Sequence, residues 1–279
     1  MNKYLQLIRF NKPIGTWLLF LPCLLGMALM SKNQQFNWQY LAFLFFAGSF
    51  LMRSAGCVIN DIFDRKFDVK VARTKNRPIA SGTISLNQAL VFLAILLFLA
   101  FLILLQFNLK TIILGFLSLI FVISYPLMKR ITFYPQVFLG LTFNLGILFA
   151  SVAVSEKITL PALLLYFSCI IWTIIYDTIY GYQDLEDDLK IGVKSTAIKF
   201  GANPQKILFS LAVVFFTLLI LLGILAGFEF VYFILTGLAF FHLSCQVRTC
   251  NFKDGADCLK KFKSNIWVGI ILLIAIILG

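Results

Sequence analysis

The stretch Arg53-Ser-Ala-Gly-Cys-Val-Ile-Asn60-Asp61-Ile-Phe-Asp64-Arg-Lys-Phe-Asp68 decides how this chain is read. It closes an apolar run over about 39–59 and then places three carboxylates and an amide within nine residues. A helix of about 20 apolar residues, rising 1.5 Å per residue, crosses the hydrocarbon core of a bilayer. If the helix continues into the acidic stretch, Asn60, Asp64 and Asp68 recur at i, i+4 and i+8 and share one face. Their side-chain bases then lie about 5–6 Å apart. That spacing suits two oxygen ligands on one hard cation. The plainer explanation is an acidic membrane edge that merely stays wet, but such a boundary ordinarily favours Lys and Arg.

A second stretch, Asp177-Thr-Ile-Tyr180-Gly-Tyr-Gln-Asp184-Leu-Glu-Asp187-Asp188, also leaves an apolar run. Asp184 follows Asp64 by 120 residues and Asp188 follows Asp68 by the same 120. Eight of the chain's 12 acidic residues lie in these two stretches. Two facing pairs, Asp64 with Asp68 and Asp184 with Asp188, would hold two cations. Mg²⁺ held this way completes its shell with water and substrate phosphates, which points to a diphosphate site. Each motif runs on into basic residues, Arg73, Lys75 and Arg77 in one case and Lys190 and Lys194 in the other. They read equally as topology signals or as groups that grip the diphosphate.

The rest of the composition agrees with a membrane. The 279 residues are 61% hydrophobic and only 13% charged. A net charge of +12 would suit nucleic acid, but the basic residues are confined to short segments between apolar runs, where the positive-inside effect accounts for them. Six cysteines without a C-x-x-C pair read as small apolar residues. The N-terminal segment shows no cleavage signal, since the run after Met1 to Lys12 continues as a span.

Nine runs are long enough to span, near 13–31, 39–59, 85–106, 109–128, 134–154, 159–178, 205–226, 229–247 and 262–279. Ser85-Leu-Asn-Gln88 is a capping-box pattern, Thr159 precedes Pro161, and Asn203-Pro204 marks another helix start. Of the 24 basic residues, 20 fall on one side of this arrangement and three, Lys32, Lys110 and Lys157, on the other. That alternation supports the span count and puts the N-terminus and both acidic motifs on the cytoplasmic side. The expected fold is therefore all-α, one polytopic domain over 1–279, a bundle of about nine transmembrane helices. Motif-bearing caps are expected at about 60–84 and 179–204.

Arg53 is the one basic residue well inside a span, about 10 Å deeper than Asn60 along the same helix. Intramembrane charges face the bundle interior and mark function, so Arg53 is expected to meet the carboxylate of an aromatic acid, or the diphosphate. A buried structural ion pair is its alternative role. Lys129-Arg130 ends the fourth span as an interfacial anchor or a site pair. Asn144 is expected to hydrogen-bond between helices, and His242 to be structural.

Asn60-Asp61-x-x-Asp64-x-x-x-Asp68 and Asp177-x-x-Tyr180-x-x-x-Asp184-x-x-x-Asp188 resemble the two aspartate-rich motifs of the UbiA-type intramembrane prenyltransferases. Arg9-Phe-Asn-Lys-Pro-Ile-Gly15, Asn76-Arg-Pro-Ile-Ala-Ser-Gly82, Tyr125-Pro-Leu-Met-Lys-Arg130 and Asp188-Leu-Lys-Ile-Gly-Val-Lys-Ser-Thr196 are similar to the 4-hydroxybenzoate polyprenyltransferase branch. The resemblance implies Mg²⁺-dependent transfer of a polyprenyl group from its diphosphate to 4-hydroxybenzoate, ortho to the hydroxyl, in ubiquinone synthesis. It implies substrate contacts from Asn60, Asp61, Asp177, Tyr180 and Arg130, and a proton acceptor such as Asp184 or Asp187. Its setting would be a cell's inner membrane, with lipid as the only other partner and no obligate protein. Dihydroxynaphthoate or haem b is the alternative acceptor. A cation-coupled transporter is a different class, but transporters carry such carboxylates near the midplane rather than at one edge.

Overall fold

A computed structural model describes residues 2–71 and 74–279. Arg73, expected near the first motif, lies outside the described residues. The helices are α1 (Lys3–Leu7), α2 (Ile14–Ser31), α3 (Trp38–Asp68), α4 (Leu86–Leu104), α5 (Leu109–Ile131), α6 (Pro135–Phe143), α7 (Leu145–Ser155) and α8 (Leu160–Gly181). A 3₁₀ turn (Tyr182–Asp184) leads to α9 (Leu185–Ile191), α10 (Thr196–Phe200), α11 (Gln205–Ala226), α12 (Phe230–Thr249) and α13 (Gly255–Leu278). Among the described residues nine helical segments are long and apolar enough to cross a membrane, the fifth being α6 with α7 and the sixth running from α8 through α9. In hydrocarbon a backbone amide finds no water, so apolar runs of this length close their hydrogen bonds internally as helices.

Capping follows the sequence. Ser85 and Gln88 form the reciprocal capping box, and Thr159 accepts from the Ala162 amide. Pro204 stands at the N-cap, one residue earlier than the first helical position. Asn144 breaks the fifth span and donates to Gly140 O at 2.8 Å and Thr173 Oγ1 at 2.9 Å, the expected bond to a neighbouring helix. His242 contacts Gln246 and the Ser264 carbonyl between α12 and α13, a structural setting.

The tightest packing joins α2 to α7 and α8 to α6 and α11, with α13 against α2, α8 and α12. Small residues permit it: a Cβ on Gly26 would lie 2.9 Å from the Ile147 backbone, so α2 and α7 approach through glycine. Trp172 of α8 donates to Asn265 Oδ1 of α13 at 2.9 Å inside this core. In contrast, α4 and α5 are mostly exposed; α4 packs on α3 and touches α5 little. The bundle is thus solid on one side and open on the other.

Candidate active site

The first motif occupies the last turns of α3, so Asn60, Asp64 and Asp68 share a helix face as the spacing required. The expected cap from Asn60 is, in its first nine residues, a continuation of the spanning helix. Asp61, Asp64 and Asp68 are only 2%, 6% and 6% exposed. Burial of charge demands partners, and distant segments deliver them. Arg9 Nη2 is 2.7 Å from Asp61 Oδ1. Arg77 Nη1 is 3.2 Å from Asp61 Oδ1 and 2.9 Å from Asp68 Oδ2. Lys129 pairs with Asp64 Oδ2. Arg130 stays 3.8 Å from Asp64 Oδ1 and instead donates to the Phe63 carbonyl at 2.8 Å, over the Phe67 ring.

Arg9 takes a left-handed backbone, φ 56°, a conformation that costs a non-glycine residue about 1–3 kcal/mol. Two anchors hold it there: Leu7 is fully buried in the preceding helix, and the guanidinium is fixed on Asp61. Burial works against the charge on Arg9, but Cys57 and Asp61 beside it outweigh that and hold the guanidinium above its ordinary value.

The second motif is not one continuous helix. Asp177 and Tyr180 lie on α8, the 3₁₀ turn ends at Asp184, and Asp187 and Asp188 fall in the first turn of α9. Asp187 is partly exposed and faces Lys190 at 3.9 Å. Lys194 donates its backbone N–H to Lys129 O at 2.8 Å and its ammonium to Ile131 O at 3.1 Å, capping α5. Lys75 is exposed.

Between the motifs lies a cavity of about 1370 Å³, larger than the 300–1,000 Å³ typical of small-molecule pockets. Arg9, Asn60, Asp61 and Arg77 line its polar end, and Arg53, Tyr125, Asp177 and Tyr180 line it further along. Arg53 makes no hydrogen bond or ion pair among the described residues. Gly15 makes room for it: a Cβ there would lie 2.7 Å from Arg53 Nη2. The other end is apolar. Phe98, Phe101 and Phe116 line the cavity and are exposed as well, so it opens between α4 and α5 toward lipid.

Among the described residues no three His, Cys, Asp or Glu side chains converge to hold a metal by themselves; the first motif's carboxylates are drawn onto cations instead. Asp64 Oδ1 is nevertheless buried without a hydrogen-bond partner. Leaving it so costs about 1–3 kcal/mol or more, and the other acidic side chains of the motif, Asp61 and Asp68, offer oxygen ligands only. Both features fit a hard divalent cation.

The model of the UbiA prenyltransferase family matches residues 19–269. The chain belongs to the UbiA prenyltransferase family. A rat protein named "4-hydroxybenzoate polyprenyltransferase, mitochondrial" is 46% identical over 283 residues, covering 100% of this chain and 75% of that protein. The apo structure of a UbiA homologue from Aeropyrum pernix K1 superposes with a TM-score of 0.79 at 24% identity, over 94% of this chain and 96% of that one. A UbiA homologue from Archaeoglobus fulgidus, bound to GPP and Mg²⁺, gives 0.74 at 19% identity over 99% of both chains. These two share the fold. For this UbiA-family chain, sequence reasoning had singled out the carboxylates and Arg53 as site candidates. It took Arg9 only as part of a motif and left Lys129 open as a membrane anchor. Their pairing with Asp61 and Asp64 has no local signal, since the partners are 52 and 65 residues apart.

Proposed function

We propose that this chain transfers a polyprenyl group from polyprenyl diphosphate to the ring carbon ortho to the hydroxyl of 4-hydroxybenzoate, a membrane step of ubiquinone synthesis. One observation carries the reading: a single cavity joins a charged end, an arginine that makes no hydrogen bond or ion pair among the described residues, and an aromatic-lined opening to lipid. The 46% identity to a curated polyprenyltransferase of that name supports the choice of acceptor.

Asp64, Asp68, Asp184 and Asp188 are assigned to hold a divalent metal, Mg²⁺ in our reading. When bound it supplies the positive charge that stabilises the departing diphosphate. Arg9 and Arg77 take up part of the same charge. Lys75 and Lys190, exposed near the motifs, have at most a steering role. The prenyl C1–O bond breaks and its electron pair leaves with the diphosphate. Tyr125, Phe143, Tyr176 and Tyr180 line the cavity, and their ring faces steady the allylic cation. Apolar walls keep water from it, and the tail extends past Phe98 and Phe116 into lipid.

Arg53 pairs with the acceptor carboxylate and turns the ring toward C1. The ring carbon bonds to C1, and the ring proton must then leave. Asp177 lines the cavity together with Arg53, Tyr125 and Tyr180, so Asp177 is assigned as the proton acceptor. The protein is multi-pass. We place it in a cell's inner membrane with the N-terminus and both motifs on the cytoplasmic side, on the strength of the 20-to-3 division of basic residues.

The test uses membranes containing the protein, labelled geranyl diphosphate, 4-hydroxybenzoate and Mg²⁺. A prenylated aromatic acid that disappears on chelation and returns with added Mg²⁺ is expected. Transfer to dihydroxynaphthoate but not to 4-hydroxybenzoate would overturn the acceptor.

A further inference from the structure

Every carboxylate of the first motif is already engaged by a basic side chain: Asp61 by Arg9 and Arg77, Asp68 by Arg77, and Asp64 by Lys129. With Arg130 at 3.8 Å from Asp64, four cations face three carboxylates among the described residues. A divalent cation brought to Asp64 and Asp68 adds further positive charge in a buried place, where repulsion is weakly screened. It must displace a cation, and the displaced cation needs a new counter-charge.

Lys129 is the residue best placed for such an exchange. It engages Asp64 through Oδ2 alone, while Oδ1 lies buried without a hydrogen-bond partner. Its backbone carbonyl accepts from Lys194, so the end of α5 is joined to the segment that follows the second motif. Its ammonium rides on a flexible four-carbon stem and can turn from a carboxylate to a nearby anion. A diphosphate supplies that anion.

We infer that Lys129 is a placeholder cation. It occupies Asp64 until the diphosphate arrives, then turns to the diphosphate as the metal takes the carboxylate. Metal and diphosphate consequently bind together, and neither binds well alone. The inference rests on the diphosphate reading proposed above. Lys129 acts on the metal through Asp64, as a positioning residue.

The test is binding rather than turnover. Mn²⁺ is titrated onto the detergent-purified full chain and followed by electron paramagnetic resonance. The titration is run with and without geranyl S-thiolodiphosphate, a donor analogue that resists ionisation. In the wild type the analogue should tighten Mn²⁺ about tenfold or more, within the usual range of coupling between sites. Mn²⁺ should tighten the analogue by the same factor, as linkage requires. Lys129→Gln should bind Mn²⁺ alone about tenfold more tightly than wild type and lose a similar factor of coupling, while Lys129→Arg keeps wild-type behaviour. A lysine that only held helices together would not raise metal affinity on removal, and one that only gripped phosphate would leave the coupling with metal in place when replaced by glutamine. Equal Mn²⁺ affinity with and without the analogue in the wild type overturns the exchange while leaving the diphosphate site intact. So does a Lys129→Gln protein that binds Mn²⁺ no more tightly than wild type. If Lys129→Gln does not fold, Lys129→Met, which keeps the apolar stem and removes the charge, takes its place. Binding of neither ligand under any condition overturns the diphosphate reading itself.

Discussion

Replacing Gly15 by alanine moves Arg53 without touching its charge. The added Cβ would lie 2.7 Å from Nη2, 2.9 Å from Cζ and nearer still to Nε. Ordinary contact needs about 3.5 Å, so the guanidinium must retreat by roughly 1 Å. It is the end of a flexible side chain, so the fold yields easily. Alanine for glycine within a helix also returns up to about 1 kcal/mol. Gly15→Ala should therefore melt at or above the wild-type temperature and still hold its acceptor badly. Loss of one of two charge-assisted bonds to the carboxylate costs about 1.5–3 kcal/mol. That raises the KM for 4-hydroxybenzoate roughly ten- to a hundredfold. The KM for the prenyl diphosphate should stay within about twofold, because uniform binding of the donor is untouched. The assay is steady-state kinetics on purified protein with each substrate varied in turn, beside a thermal melt. An unchanged acceptor KM in a folded variant refutes Arg53 as the anchor. A matching rise in donor KM refutes the separation of the two subsites.

Asp64→Ala, Asp68→Ala, Asp184→Ala and Asp188→Ala should each lower kcat by on the order of a hundredfold or more in protein that still inserts; near-normal rates in any two contradict the paired-carboxylate site. Cysteines substituted for Lys70 and Lys194 in a cysteine-free background should label from one face of sealed vesicles, and one substituted for Lys157 only from the other. Labelling of all three from one face breaks the proposed topology. Asn144→Leu removes the bonds to Thr173 and Gly140 and should cost about 0.6–1.7 kcal/mol in a detergent melt. Its KM values should be unaltered, whereas a large acceptor effect would place Asn144 in the site.

Hydropathy and charge alternation were enough to place nine spans, because lipid forces every apolar run of this length into a helix. They were poor guides wherever a helix outlasts the hydrocarbon. Helix α13 begins at Gly255 rather than near 262, carrying Lys260 and Lys261 on turns that hydropathy treats as loop. Helix α3 likewise runs through its acidic motif to Asp68. The break at Asn144 and the 3₁₀ turn before Leu185 answer to tertiary packing, as the Asn144–Thr173 bond and the Tyr182–Phe252 ring contact show. In the site, carboxylates at a membrane edge and a lone intramembrane arginine were conspicuous in the sequence. The partners of those carboxylates were not, since nothing local distinguishes Lys129, on Asp64, from Lys194, which caps α5.

The central claim is a ring prenylation, and the product itself tests it most directly. Purified protein is supplied with a polyprenyl diphosphate, ring-deuterated 4-hydroxybenzoate and Mg²⁺, and the product is examined by NMR and mass spectrometry. The account predicts one new carbon–carbon bond at the position ortho to the hydroxyl, with one deuterium lost, and no product when either substrate or the metal is withheld. Prenyl alcohol as the sole product, or a prenyl group on oxygen with every ring deuterium retained, would contradict it.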